Sequence, residues 1–344
     1  MSKLYSVGIG VGTWNKQDQW LEVFYPAPLL NPDDAVADAL SEALDYKEGN
    51  VAINLDKAQL QSLADALDKR QQSTQADAVK SLLNSERPCV AAILASDDEP
   101  TSVPEAYLKL QLISHRLVKP HGINLSGIFG SLPNVAWTNE GAIDLAELPQ
   151  RQVQARIKGQ HLNVNSVDKF PKMTDYVVPA GVRIADASRV RLGAYIGEGT
   201  TIMHEGFVNF NAGAEGPNMI EGRISAGVFV GAGSDLGGSS STMGTLSGGG
   251  NIIISVGKEC LLGANAGIGI PLGDRCIVEA GLYITAGTKV VLLDDSRHVV
   301  GETKARELAG KSDLLFRRNS VSGAVECLTN QTAVELNEAL HAHN

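Results

Sequence analysis

The chain lacks most of the features that announce a compartment or a large charged partner. Only 4 of its 344 residues are cysteine. Cys89, Cys260, Cys276 and Cys327 show no CxxC or other metal-ligand spacing, which argues against a disulfide framework and predicts buried free thiols. Three histidines that could be considered for zinc, His161, His204 and His298, stand isolated, so no zinc site is predicted. Basic residues number 29 against 39 acidic ones, a net charge of −10, with no long block of one sign. That balance excludes a generic nucleic-acid or anionic-membrane binder, because both need a basic face. No window holds the roughly 18 consecutive apolar residues of a spanning helix; the uncharged stretch Leu236–Gly257 is mostly Gly, Ser and Thr. The opening segment MSKLYSVGIGVGTWNK has neither an adequate apolar run nor a cleavage signature, which predicts a cytosolic protein.

Aromatics reach only 5%, whereas hydrophobic residues make up 43% and glycines number 36. This composition excludes disorder over most of the chain and points to a Gly-rich, aliphatic architecture. At about 150 residues per domain the length suggests two domains.

Residues 1 to 105 read as an α/β domain. Apolar runs near Leu4–Val11 and Trp20–Tyr25 and the run CVAAILA at Cys89–Ala95 predict strands. Helical patterns lie at Asp33–Leu44 and Lys57–Leu83, the second with a polar gap at QQSTQ. Asp97–Pro104 reads as a linker and Ser102–Val118 as a helix with Pro104 in its first turn. Residues 106–177 are expected to be a helical and loop-rich connection.

A short repeat begins near Val178. Aliphatic residues recur at every sixth position at Val178, Ile184, Val190, Ile196, Ile202 and Val208, with Ala214 in phase. The period returns at Ile224, Val230 and Leu236, at Val256, Leu262 and Ile268, and at Leu272, Val278, Ile284 and Val290. Period six suits neither a helix nor a strand. It suits a triangular solenoid: three hexapeptides make a coil of 18 residues, the aliphatic residue points inward, and a small residue lets the corner turn. At the ~4.8 Å spacing of adjacent strands, residues 178–290 make a prism roughly 30 Å tall. The expected domain is a parallel β-helix over 178–295, followed by a small α/β cap over 296–344. In that cap TKARELAG suggests a short helix, SVSGAVECL a strand, and the last 14 residues an amphipathic helix using Val334, Leu336, Ala339 and Leu340.

Two excursions from the repeat hold the polar residues. Met203–Arg223 contains His204, Glu205, Asn209, Asn211, Glu221 and Arg223; by residue type alone, Glu205 and Glu221 are equally well read as solvated carboxylates. Gly237–Gly250, GGSSSTMGTLSGGG, brings backbone N–H groups close to a ligand or serves as a linker, and it lacks the P-loop pattern.

The repeat together with HEGFVNFNAG at His204–Gly213, EGRISAGVFVG at Glu221–Gly231, MGTLSGGG at Met243–Gly250 and LLFRRNSVSGAVE at Leu314–Glu326 resembles the tetrahydrodipicolinate N-succinyltransferases. The resemblance is to the actinobacterial and pseudomonad form, and implies a left-handed β-helix and a homotrimer with active sites between adjacent prisms. It implies succinyl transfer from succinyl-CoA to a cyclic imine dicarboxylate in diaminopimelate and lysine biosynthesis. The catalytic glutamate falls on Glu221, acting as a general base or through an acyl anhydride. The CoA-contacting positions fall on Arg223, Gly238, Ser241, Ala264, Glu279, Ala280, Gly287, Lys304 and the run Arg317, Arg318, Asn319 and Ser320. A structural Mg²⁺ on the threefold axis is implied through Glu205, although Ser188, beside Asp186, stands where the family's second carboxylate aligns.

Residue chemistry adds that Lys304, Arg317 and Arg318 form a local basic cluster suited to phosphates, or else a solvated charge cluster. Arg183, Arg189, Arg191, Asn209 and Asn211 are candidate holders of the acceptor carboxylates. Two alternatives remain at this level. One is another CoA-dependent hexapeptide acyltransferase, with His204 as base; the other is a non-catalytic solenoid scaffold.

Overall fold

The run CVAAIL is buried at all 6 positions of strand Cys89–Leu94, as an interior strand with both faces covered must be. It pairs antiparallel with Ser6–Trp14 on one side and Val51–Leu55 on the other, and Trp20–Phe24 adds to the far side of Ser6–Trp14. Helices Asp34–Leu44, Lys57–Lys69 and Ser73–Leu82 contribute Leu40, Leu63, Leu67 and Val79 to one apolar cluster with Val7 and Ile93 of the sheet. The pattern over Lys57–Leu83 is thus two helices. Asp56 starts the first with a capping box shared with Gln59, and Gln71, at φ 60°, turns the chain between them. Pro104 lies in the first turn of helix Val103–Ser114, which ends before Val118; Arg116, at φ 63°, lies just past its end.

The computed structural model describes residues 3–244 and 252–329. Its chain forms two units, Met1–Leu112 with Gly122–Pro171, and Ile113–His121 with Lys172–Asn344. The expected connecting region 106–177 is therefore divided between them. Its strands Val135–Thr138, Gly141–Asp144 and Val164–Asp168 form an antiparallel sheet, joined by helix Leu148–Ile157, in the first unit.

The second unit is a parallel β-helix. Three ladders of short parallel strands stack along it: one runs through Arg183–Ile184, Thr201–Ile202, Met219–Ile220, Asp235–Leu236, Leu261–Leu262 and Ile277–Val278. A second holds Phe207–Val208, Arg223–Ile224, Ser241–Thr242, Gly267–Gly269 and Tyr283–Thr285, and a third Ala194–Ile196, Ala212–Ala214, Phe229–Val230 and Ser255–Val256. The aliphatic residue of each hexapeptide points inward: Ile202, Val208, Ile220, Ile224, Val230, Leu262 and Val278 are all fully buried. The first repeat position, Val178, is not part of this core; it is exposed, and strand pairing begins at Arg183.

Strand register explains the phase changes. Thr201 pairs with Arg183 and with Met219, a full coil each way, whereas Asp235 pairs with Met219 through a coil shortened at one corner. Met203–Arg223 is consequently no excursion. It holds strands Phe207–Val208, Ala212–Ala214 and Met219–Ile220, and its polar residues occupy ordinary corners and outer faces. The second departure is an insertion after strand Ser241–Thr242, lengthening the coil before Leu261 pairs with Asp235.

Beyond the last coil, Leu314–Arg318 pairs in parallel with Ile277–Val278 and antiparallel with Val325–Thr329, so an otherwise open sheet edge is paired. The cap is β in its described part. TKARELAG contributes the end of strand Val299–Lys304 and a single 3₁₀ turn, Ala305–Leu308, and SVSGAVECL contributes strand Val325–Thr329. The expected C-terminal helix lies outside the described residues. All four cysteines are free and buried, as their spacing predicts.

Candidate active site

One corner of the prism gathers the polar residues. After each inward aliphatic residue of the first ladder, the next backbone N–H donates to the carbonyl of the apolar residue on the adjacent strand of the ladder. These bonds run Ala185 to Ile202, Met203 to Ile220, Glu221 to Leu236, Gly237 to Leu262, Gly263 to Val278 and Glu279 to Phe316, at 2.8–2.9 Å. The residues that follow these positions, coil by coil, make a column along this corner: Arg189, Glu205, Glu221, Gly238, Ala264, then Glu279 with Ala280, then Arg317 with Arg318. The corner itself turns through left-handed residues; Ser239, Asn265 and Gly281 occupy matched places at φ 58°, 58° and 74°.

An open cleft of about 680 Å³ lies at this corner, lined by Arg189, His204, Glu205, Phe207, Gly222 and Arg223 and by the run Ser239, Ser240 and Ser241. Glu221 borders it. The Oε2 atoms of Glu221 and Glu205 lie 3.6 Å and 3.7 Å from the point at which a side chain on Gly238 would begin. Two carboxylates thus meet over a residue with no side chain. The N–H of Gly238 makes no hydrogen bond among the described residues, whereas its carbonyl accepts from Asn265 at 2.9 Å. Ser240 Oγ fills the place a side chain on Gly222 would need, which keeps that position to glycine.

Arg223 donates to Ser241 Oγ at 2.6 Å, so these two expected contact residues sit side by side on adjacent coils. Ala264 and Ala280 are exposed on successive coils, and Gly281 N–H donates to the Ala264 carbonyl. Glu279 accepts from the Arg318 backbone N–H at 2.6 Å. Arg317 donates to Glu326 through Nε and Nη2, at 2.9 and 2.8 Å, and Asn319 Nδ2 donates to its other oxygen at 2.7 Å. Those bonds, led by the one from Asn319, hold the Glu326 carboxyl below the ordinary carboxylate range. Glu326 was not singled out from sequence. Its role rests on the hairpin register that sets it opposite Arg317.

Gly287, Lys304 and Ser320 are exposed, and no contact in the described residues draws them to the column. Among the candidates for acceptor carboxylates, Arg191 donates to Asn209 and Asn211 accepts from the His121 backbone. Arg183 is exposed on the first ladder, and only Arg189 of the five lines the cleft. His204 is 74% exposed in its side chain and lies 3.7 Å from Glu205.

For the expected Mg²⁺ the fit is poor within one chain. Ser188, where a second carboxylate was aligned, donates its hydroxyl to Asp186 at 2.6 Å, and no three His, Cys, Asp or Glu residues converge among the described residues. A single Glu205 is far short of the oxygen shell such an ion takes. The metal therefore gains no support from this geometry.

Residues 132–172 match the family "Tetrahydrodipicolinate N-succinyltransferase middle", and residues 253–286 match "Hexapeptide repeat of succinyl-transferase". The chain is 70% identical over 341 residues to the 2,3,4,5-tetrahydropyridine-2,6-dicarboxylate N-succinyltransferase of Pseudomonas paraeruginosa, covering 99% of each chain. It is 60% identical over 340 residues, again 99% of each, to the Vibrio cholerae protein of the same name. A crystal structure from Campylobacter jejuni, provisionally assigned as a 2,3,4,5-tetrahydropyridine-2-carboxylate N-succinyltransferase, superposes with a TM-score of 0.88 at 33% identity, over 97% of this chain and 94% of that one. This chain belongs to the 2,3,4,5-tetrahydropyridine-2,6-dicarboxylate N-succinyltransferase family.

Proposed function

We propose that the protein transfers the succinyl group of succinyl-CoA to 2,3,4,5-tetrahydropyridine-2,6-dicarboxylate, releasing CoA and N-succinyl-2-amino-6-oxopimelate, a step of diaminopimelate and lysine biosynthesis. The observation that carries the reading is the corner column. From Glu221 it runs to Arg317 and Arg318, four coil steps of about 4.8 Å away, or about 19 Å. An extended thioester arm laid along that corner places its carbonyl near Glu221 and its phosphates near the arginines.

Hydration of the imine gives an amine. Glu221 takes the proton as the nitrogen attacks the thioester carbonyl, and the Gly238 N–H receives the oxyanion. Collapse breaks the C–S bond, the sulfur leaves as the CoA thiol with a proton, and the ring opens to the 6-oxo acid. Alongside Glu221, the reading assigns CoA contacts to Arg223, Gly238, Ser241, Ala264, Glu279, Ala280, Gly287, Lys304 and the run from Arg317 through Ser320. It also carries a left-handed coil, a homotrimer and a cytoplasmic location, all supported by family resemblance.

The test is thiol release from succinyl-CoA and from acetyl-CoA, with the cyclic imine generated in situ and omitted in controls. Acceptor-dependent release from succinyl-CoA alone is expected. Release from acetyl-CoA alone, or none from either, contradicts the assignment.

A further inference from the structure

Resting on that proposed reaction, we infer that Arg189 is a carboxylate-binding residue that sets substrate selectivity. The local sequence fixes it before any substrate arrives. Asp186 caps the 3₁₀ turn Ala187–Arg189, accepting the Ser188 backbone N–H at 2.9 Å and its hydroxyl at 2.6 Å. Both bonds, the hydroxyl's first, end on Oδ1 and hold the Asp186 carboxyl below the ordinary carboxylate range. Arg189 then reaches across to the next coil, where Nε donates to the Gly206 carbonyl at 3.0 Å and Nη2 to the Glu205 carbonyl at 2.9 Å.

A guanidinium has five donors in one rigid plane. Two backbone carbonyls hold one edge of it, and Nη1 has no hydrogen-bond partner among the described residues. The side chain is half-buried and lines the same cleft as Glu205 and Arg223. The Arg223 side chain is exposed and, among the described residues, bonded only to Ser241, through Nη2; Arg189 is the cleft arginine that two backbone carbonyls hold in place while part of its guanidinium stays open. Every substrate of the proposed reaction is an anion with carboxylates that do not react: two on the acceptor and one at the end of the succinyl chain. An anchored arginine beside Glu205 provides the planar, charge-assisted contact such a group needs.

The experiment compares kcat/KM ratios, which cancel any difference in the folded fraction between wild type and variant. Wild type, Arg189→Gln and Arg189→Lys are assayed with two acceptors, the 2,6-dicarboxylate and 2,3,4,5-tetrahydropyridine-2-carboxylate, and with two donors, succinyl-CoA and acetyl-CoA. A fall of roughly 10- to 100-fold in the dicarboxylate preference of Arg189→Gln, the size expected for a hydrogen bond to a charged group, assigns Arg189 to the acceptor. An equal fall in the succinyl preference assigns it to the donor; partial rescue by Arg189→Lys supports either assignment. Both ratios staying within twofold of wild type overturns the inference, even if the overall rate falls. A wild-type protein inert with every pair overturns the proposed reaction itself.

Discussion

Glu205 and Glu221 lie one coil apart, and their Oε2 atoms stand 3.7 and 3.6 Å from the point where a side chain on Gly238 would begin. Among the described residues, no other atom beyond Gly238 and its chain neighbours lies within 4 Å of that point. The packing of the described residues leaves this space open, and the proposed reaction uses it.

This predicts an unusual phenotype for Gly238→Ala. A methyl group at those distances is in ordinary contact with its neighbours, so stability should change by no more than about 0.5 kcal/mol, as at an unstrained surface site. Turnover should fall by at least about tenfold, because the methyl takes space that an attacking nitrogen needs. Thermal unfolding and steady-state kinetics on the same preparation check it; an equally active variant, or one that unfolds many degrees earlier, contradicts the reading.

Glu326 predicts a pH effect of definite sign. Its folded carboxyl lies below its ordinary value of 4.5, chiefly through Asn319 and then Arg317. A depressed carboxylate contributes stability that is complete above the unfolded value and is lost as pH falls through the folded one. Glu326→Gln should cost about 1–3 kcal/mol near pH 7, and the gap to wild type should close as the pH drops below about 4.5. Urea titrations at pH 7 and pH 4 measure it. A gap that is absent at pH 7, or that widens in acid, argues against the Arg317–Glu326–Asn319 cluster.

Much of this was legible in the sequence, for a physical reason. A prism buries one aliphatic residue per hexapeptide, so Ile202, Val208, Ile224 and Val230 announce their own positions. What hid was coil length. The shortened coil between Met219 and Asp235 shifts the phase, and this made the regular segment Met203–Arg223 read as an excursion. Once strands are paired, Glu205, Glu221 and Gly238 fall on one corner; before pairing, spacing puts the two glutamates in one segment and Gly238 in another, and only the family resemblance joins Glu221 to Gly238. Glu326 was illegible for a similar reason, since its partners depend on hairpin register. Val178 shows the opposite error: it has the period but no coil beneath it to pack against.

In the proposed reaction Glu221 takes the proton while the corner from Gly238 to Arg318 holds the thioester. This division of roles is tested most directly by acceptor-dependent thiol release from succinyl-CoA with Glu221→Ala beside wild type, together with the thermal shift each shows on adding CoA. The account predicts a loss of about 10²- to 10⁴-fold in turnover, the range for removing a general base, with the CoA-induced stabilisation intact. Wild-type turnover in Glu221→Ala, or loss of activity in His204→Ala while Glu221→Ala stays active, would contradict it.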